Sequence, residues 1–86
     1  MNVTQRRERR KQPIRRSVQS ALELYLDDLN GHRVNDLYHM VLGEVEPALL
    51  NVVMHHVDGN LSHAAEILGI TRVTLRKKLR QYGLEQ

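Results

Sequence analysis

Between Leu37 and Val57 the chain sets thirteen apolar side chains into twenty-one positions, more than a small monomer can bury along one helix. Leu37, Tyr38, Met40, Val41, Leu42, Val45, Ala48, Leu49, Leu50, Val52, Val53, Met54 and Val57 spread over far more than one face when wound at helical pitch. The stretch therefore predicts a helix that packs on its own chain on one side and on a second chain on the other. Asn35 or Asp36 is the expected N-cap. Pro47 removes the bond to the carbonyl of Gly43 and predicts a kink, for which Gly43 leaves room. The whole chain of 86 residues makes one domain, with no Cys for a disulfide and no Phe or Trp for its core. Association with a second copy is the remaining source of stability.

The rest of the chain reads as three further helices and a basic arm. Residues 1–12 are Arg-rich, without apolar periodicity, and read as a flexible arm. Pro13 marks a start, and Ile14, Val18, Ala21, Leu22, Tyr25, Leu26 and Leu29 keep the spacing of one helical face until Asn30-Gly31 stops it. Residues 13–58 thus form the dimerisation part and 59–86 a second part. In the latter, Asp58-Gly59-Asn60 is a turn, Asn60 caps a helix over Leu61 to Leu68, Gly69 ends it, and Thr71 caps a last helix from Arg72 to about Tyr82. The fold class is all-α.

Charge is segregated along the chain. Residues 1–16 carry seven basic and one acidic group, residues 17–69 one basic and eight acidic, and residues 70–86 five basic and one acidic. Two basic ends around an acidic middle suit a polyanion such as double-stranded DNA better than a small ligand. Other function classes find little support. No apolar run is long enough to span a membrane, no signal peptide is evident, and the arm lacks apolar anchors for a membrane surface, so a soluble cytoplasmic protein is expected. His55 and His56 are adjacent and diverge on a helix, while His32, His39 and His63 stand alone, so no metal and no cofactor is expected. Glu44 and Glu46 do not share a face, and Ser17, Ser20 and Ser62 lack a nucleophile elbow, so no enzyme is expected.

The pattern from Asn60 to Gln86 carries the functional signal. Ala65, Gly69 and Leu75 stand at the spacing of a helix-turn-helix: a small residue for close approach, a glycine for a left-handed turn, and a leucine to fill the angle. Arg72, Arg76 and Arg80 fall four apart on one face of the last helix, with Val73, Leu75 and Leu79 expected to face inward. Arg72 is placed to reach guanine O6 and N7, whereas Arg76, Lys77 and Arg80 are placed for phosphates. Asn60, Ser62, Thr71 and Thr74 add hydroxyl, amide or helix-terminal N–H groups for DNA, or serve as caps only.

The segments SVQSALELYLDDLNG, VNDLYHMVLGEVE, ALLNVVMHHVDGN and AAEILGITRVTLRKKLRQYG together resemble the Fis family, the bacterial factors for inversion stimulation. The similarity runs from about Pro13 to Leu84. It implies an intertwined homodimer of four-helix chains, a nucleoid-associated transcription regulator that bends DNA, and preferences set by minor-groove width. Asn60, Ser62, Thr71, Arg72, Thr74, Arg76, Lys77 and Arg80 match the family's DNA-contacting places, with Arg72 at the main base-reading arginine. RNA polymerase is implied as a further partner through the turn before the third helix, which here carries Asp58 where the family is more usually basic. Two other departures are Thr71 in place of the more usual Asn and only twelve residues before Pro13, which puts stimulation of DNA inversion in question. The C-terminal half alone is similar also to the DNA-binding output module of nitrogen-regulator-type activators. A helical interaction protein that does not bind DNA is the other alternative.

Overall fold

The computed structural model describes residues 13–29 and 33–85, and among them every regular element is helical. The helices are α1 (Ile14–Asp27), α2 (Leu37–His56), α3 (Leu61–Leu68) and α4 (Arg72–Gln81). The chain divides into two compact units between Val34 and Asn35. The expected arm of residues 1–12, the Asn30-Gly31 stop and His32 lie outside the described residues.

In the first unit Pro13 stands at the N-cap of α1 with φ −65°, the value its ring imposes, and its carbonyl accepts from the Arg16 N–H at 3.0 Å. Val18, Leu22 and Leu29 are half-buried, whereas Ile14, Leu24, Tyr25 and Leu26 are exposed. No residue of α1 is buried.

The second unit builds a core of its own. Leu50, Val53 and Val57 from α2 and its C-cap meet Ala64 and Ala65 of α3 and Leu75 and Leu79 of α4. Leu50 and Leu75 are fully enclosed. Met54, Leu61, Leu68, Ile70, Tyr82 and Leu84 close the edges. The C-terminal half of α2 is thus part of the helix-turn-helix core. α2 continues through Pro47 without ending, as the expected length required. The side chain of its N-cap residue, Asp36, accepts no helix N–H, and its Oδ1 lies 2.9 Å from His39 Nδ1 instead, while the Asp36 carbonyl accepts the Met40 N–H at 3.1 Å.

Three left-handed turns set the directions of the helices. After α2, Asp58 and Gly59 have φ 52° and 81°, and the Gly59 N–H donates to the Met54 carbonyl at 2.9 Å. After α3, Gly69 has φ 73°, its N–H donates to Ala65 O at 2.9 Å, and the Ile70 N–H reaches the same carbonyl at 3.1 Å. After α4, Gly83 permits the Leu84 N–H to reach Leu79 O at 2.7 Å, which folds Leu84 back onto the core.

A second flank of α2 faces away from this core. Tyr38, Leu42, Val45, Leu49 and Val52 are spaced by four, three, four and three residues and are all exposed, Tyr38 to 72% and Val52 to 69%. That spacing averages 3.5 residues, the repeat of a helix-helix seam.

Candidate nucleic-acid interface

The geometry of the helix-turn-helix follows from the three residues that the spacing singled out. Ala65 is buried where α3 approaches its neighbours, Gly69 takes the left-handed backbone, and Leu75 fills the angle. α3 and α4 are packed against each other, and α3 is packed against α2. α4 is therefore held by its inner face, and its outer face is left for a partner.

The N-termini of α3 and α4 are capped by their own side chains. Asn60 Oδ1 accepts the His63 N–H at 3.1 Å, and Thr71 Oγ1 accepts the Thr74 N–H at 3.1 Å. The Thr71 hydroxyl also donates to Thr74 Oγ1 at 3.0 Å. Capping is thus realised at Asn60 and Thr71, and Thr74, half-buried, is drawn into it.

Arg72 and Ser62, ten residues apart in sequence, are brought together: Arg72 Nη1 donates to Ser62 Oγ at 3.2 Å. The guanidinium is held over the first turn of α3. Arg76 and Lys77 are exposed, and Arg80 is exposed with its Nε 3.2 Å from Glu85 Oε1. All eight candidate residues thus lie along the N-terminus of α3 and the outer side of α4, with Thr74 alone half-buried.

Val73 does not face inward as its apolarity suggested. It is 64% exposed. Helical phase gives the reason: at 3.6 residues per turn, a residue two before Leu75 lies about 160° away from it. Val73 instead shares the outer face with Arg76, Lys77 and Arg80, at the i+3, i+4 and i+7 positions.

Lys78 has a different task from the other cations of α4. Its Nζ donates to Glu46 Oε2 of α2 at 2.8 Å, and one turn on the Tyr82 hydroxyl donates to Glu46 Oε1 at 2.5 Å. The carboxyl of Glu46 is held below its usual range, first by the Lys78 bond and then by that from Tyr82. Tyr82 is pushed above its ordinary value chiefly by the same bond. Lys78 of α4 and Tyr82 at its C-cap are thus tied to one carboxylate on α2, and Lys78 is withdrawn from the outer face. Nothing in local spacing signals this contact, since Glu46 and Lys78 stand 32 residues apart. The signal available was phase: Lys78 and Tyr82 share the inner side of α4 with Leu75 and Leu79.

Among the described residues no cluster of three His, Cys, Asp or Glu side chains is arranged to hold a metal ion. No described helix is long and apolar enough to cross a membrane.

The chain is similar to known proteins. The family described as "Bacterial regulatory protein, Fis family" matches residues 41–82, and the "DNA-binding protein Fis N-terminal domain" matches residues 2–34. The protein named DNA-binding protein Fis from Aliivibrio fischeri (strain MJ11) is 54% identical over 72 residues, covering 84% of this chain and 74% of its own. That of Proteus mirabilis (strain HI4320) is likewise 54% identical over the same shares. That of Aeromonas hydrophila is 56% identical over 72 residues, again 84% of this chain and 74% of its own.

Proposed function

The chain belongs to the Fis family of bacterial DNA-binding regulatory proteins, which are not enzymes, and from that premise we propose that it acts as a homodimer that grips and bends double-stranded DNA. The observation that carries this reading is the outer face of α4, where Arg72, Arg76, Lys77 and Arg80 are exposed on a helix anchored from behind. Arg72, at the helix start, reads base edges in the major groove. Arg76, Lys77 and Arg80 meet phosphates, and Asn60, Ser62, Thr71 and Thr74 add contacts around the helix N-termini, where backbone N–H groups favour an anion.

The second copy seats on the seam of Tyr38, Leu42, Val45, Leu49 and Val52. The family resemblance implies paired recognition helices closer than one turn of B-DNA, so the duplex curves to meet both, and sites that curve easily are preferred. The site of action is the nucleoid in the cytoplasm. The family resemblance implies RNA polymerase as a further partner, and Asp58, standing where the family is more usually basic, removes or alters that contact.

A gel-shift titration on a curved A-tract duplex and on a matched straight one, at two salt concentrations, tests the proposal. Both duplexes are expected to shift, the curved one at lower protein concentration, with affinity falling steeply as salt rises. Absence of any shift would leave the helical interaction protein as the surviving reading. Equal affinity for the two duplexes would remove bending from the function.

A further inference from the structure

Val73 is an apolar residue at the centre of a cationic face. It follows Arg72 directly, and Arg76, Lys77 and Arg80 lie one and two turns beyond it on the same side of α4. It takes no part in the core of the unit. Local stability does not account for it either, because a β-branched residue exposed on a helix is a poorer helix former than alanine or lysine. With 64% of its surface open, its two methyl groups point where the partner of α4 would be.

We propose that Val73 is a specificity-determining residue that packs on the C5-methyl group of a thymine in the major groove. This rests on the DNA-binding function proposed above. The chemistry selects the thymine. The edge of each base pair in the major groove offers hydrogen-bond donors and acceptors and one apolar group, the thymine methyl, and a valine side chain has nothing to offer the others. Position supports it as well. Thr71 is the N-cap, so Val73 sits in the first turn of α4, the end of a recognition helix that approaches base edges, beside the arginine assigned to guanine. A side chain this short reaches a base only where the helix backbone comes close, whereas the long cations around it span to the phosphates. The consequence is a preferred half-site in which a thymine lies next to the base pair read by Arg72.

The test uses the full chain and a duplex selected by it from a randomised pool. Each thymine of one half-site is replaced in turn by deoxyuridine, which removes the C5-methyl and leaves every hydrogen-bonding group in place. Affinities are measured for the wild-type chain and for V73A, whose fold is checked by circular dichroism. One replacement is expected to weaken wild-type binding about fourfold, the effect of losing one buried methyl contact. The V73A chain should be insensitive to that same replacement. If wild type and V73A lose equal factors at every thymine, or if no replacement matters to the wild type, the inference is overturned. A V73A chain that binds all duplexes more tightly would show that Val73 only crowds the groove, which also overturns it. Failure of the wild type to bind any duplex in the pool would instead overturn the function on which it rests.

Discussion

The helix-turn-helix unit and the outer seam of α2 are both rich in apolar residues, yet only the first is closed. Leu50, one residue from Leu49, is 1% exposed, whereas Leu49 is 50% exposed. The difference is a rotation of about 100° on the same helix. One side of α2 meets α3 and α4 across left-handed turns that its own chain supplies. The other side carries a 3.5-residue repeat for which the single chain supplies no cover among the second unit's helices. A helix of this kind joins two surfaces with different logic: a local motif that completes itself, and a seam on which the proposed second copy would seat.

The largest effect is expected where that comparison is sharpest. Leu50→Asp places a carboxylate in a closed apolar core and should cost more than about 4 kcal/mol, enough to unfold the unit. Leu49→Asp leaves the core's chemistry intact and should instead prevent association. Circular dichroism and sedimentation velocity distinguish the two, the first variant losing helix at every concentration and the second sedimenting as a single chain. If Leu49→Asp still sedimented as a dimer, the seam would lie elsewhere.

A comparable contrast runs along α4. Arg72→Ala should cost about 1–3 kcal/mol at a preferred site and flatten the preference between sites. Lys77→Ala should weaken binding to every sequence alike, because a lysine on the groove wall meets phosphates that all sequences share. Isotherms on a preferred and a scrambled duplex measure both. Arg72→Ala lowering the two affinities by one factor would transfer specificity to DNA shape alone. The bond from Arg72 to Ser62 adds a second variant: Ser62→Ala frees the guanidinium and should change affinity less than removing it.

Much of this arrangement was legible in sequence, and the legible part is the local part. Leu61–Leu68 was expected with both ends correct, and Asn60, Gly69 and Thr71 were assigned to the ends they occupy. Such signals are short in range: a side chain accepts an N–H three residues on, and a glycine takes a φ that other residues avoid. Val73 departs from the inward position that its apolarity suggests because helical phase puts it opposite Leu75. The Glu46, Lys78 and Tyr82 contact was not legible, because it depends on how α2 and α4 cross. For the candidate interface, the cations were legible by type and spacing, but not that Lys78 turns inward while its neighbours stay out.

Two glycines extend the comparison at smaller magnitude. Gly69 sits at φ 73°, where a β-carbon is strained even though the surrounding space is open, so Gly69→Ala should cost about 1–2 kcal/mol in chemical denaturation. Gly43 lies within α2, and a β-carbon there meets nothing within 4 Å. Gly43→Ala should therefore stabilise the helix by about 0.5–1 kcal/mol. A loss in place of that gain would show that the second copy comes close to Gly43.

The smallest effect tests the link between the two surfaces of α2. Glu46 is followed by Pro47 and preceded by the seam residue Val45, and its carboxylate accepts hydrogen bonds from both Lys78 and Tyr82. The Glu46 carboxyl is lowered from its ordinary 4.5, so the stability it contributes is complete above that pH and is lost as pH falls through the folded value. Tyr82 is raised from 10.0, so its contribution is complete below that pH and is lost as pH rises through the folded value. The stability gap between the wild type and Glu46→Gln should then be level at neutral pH and close below pH 4.5. The corresponding gap for Tyr82→Phe should close above pH 10.0. About a third of each side chain in the Lys78–Glu46 pair remains open to solvent, so Lys78→Met should cost only about 0.2–1 kcal/mol. Denaturant titrations across the pH range measure all three. A Glu46→Gln gap that stayed constant from neutral pH into acid would mean that the carboxylate does not hold α4 in solution, and the recognition helix would then be positioned by Leu75 and Leu79 alone.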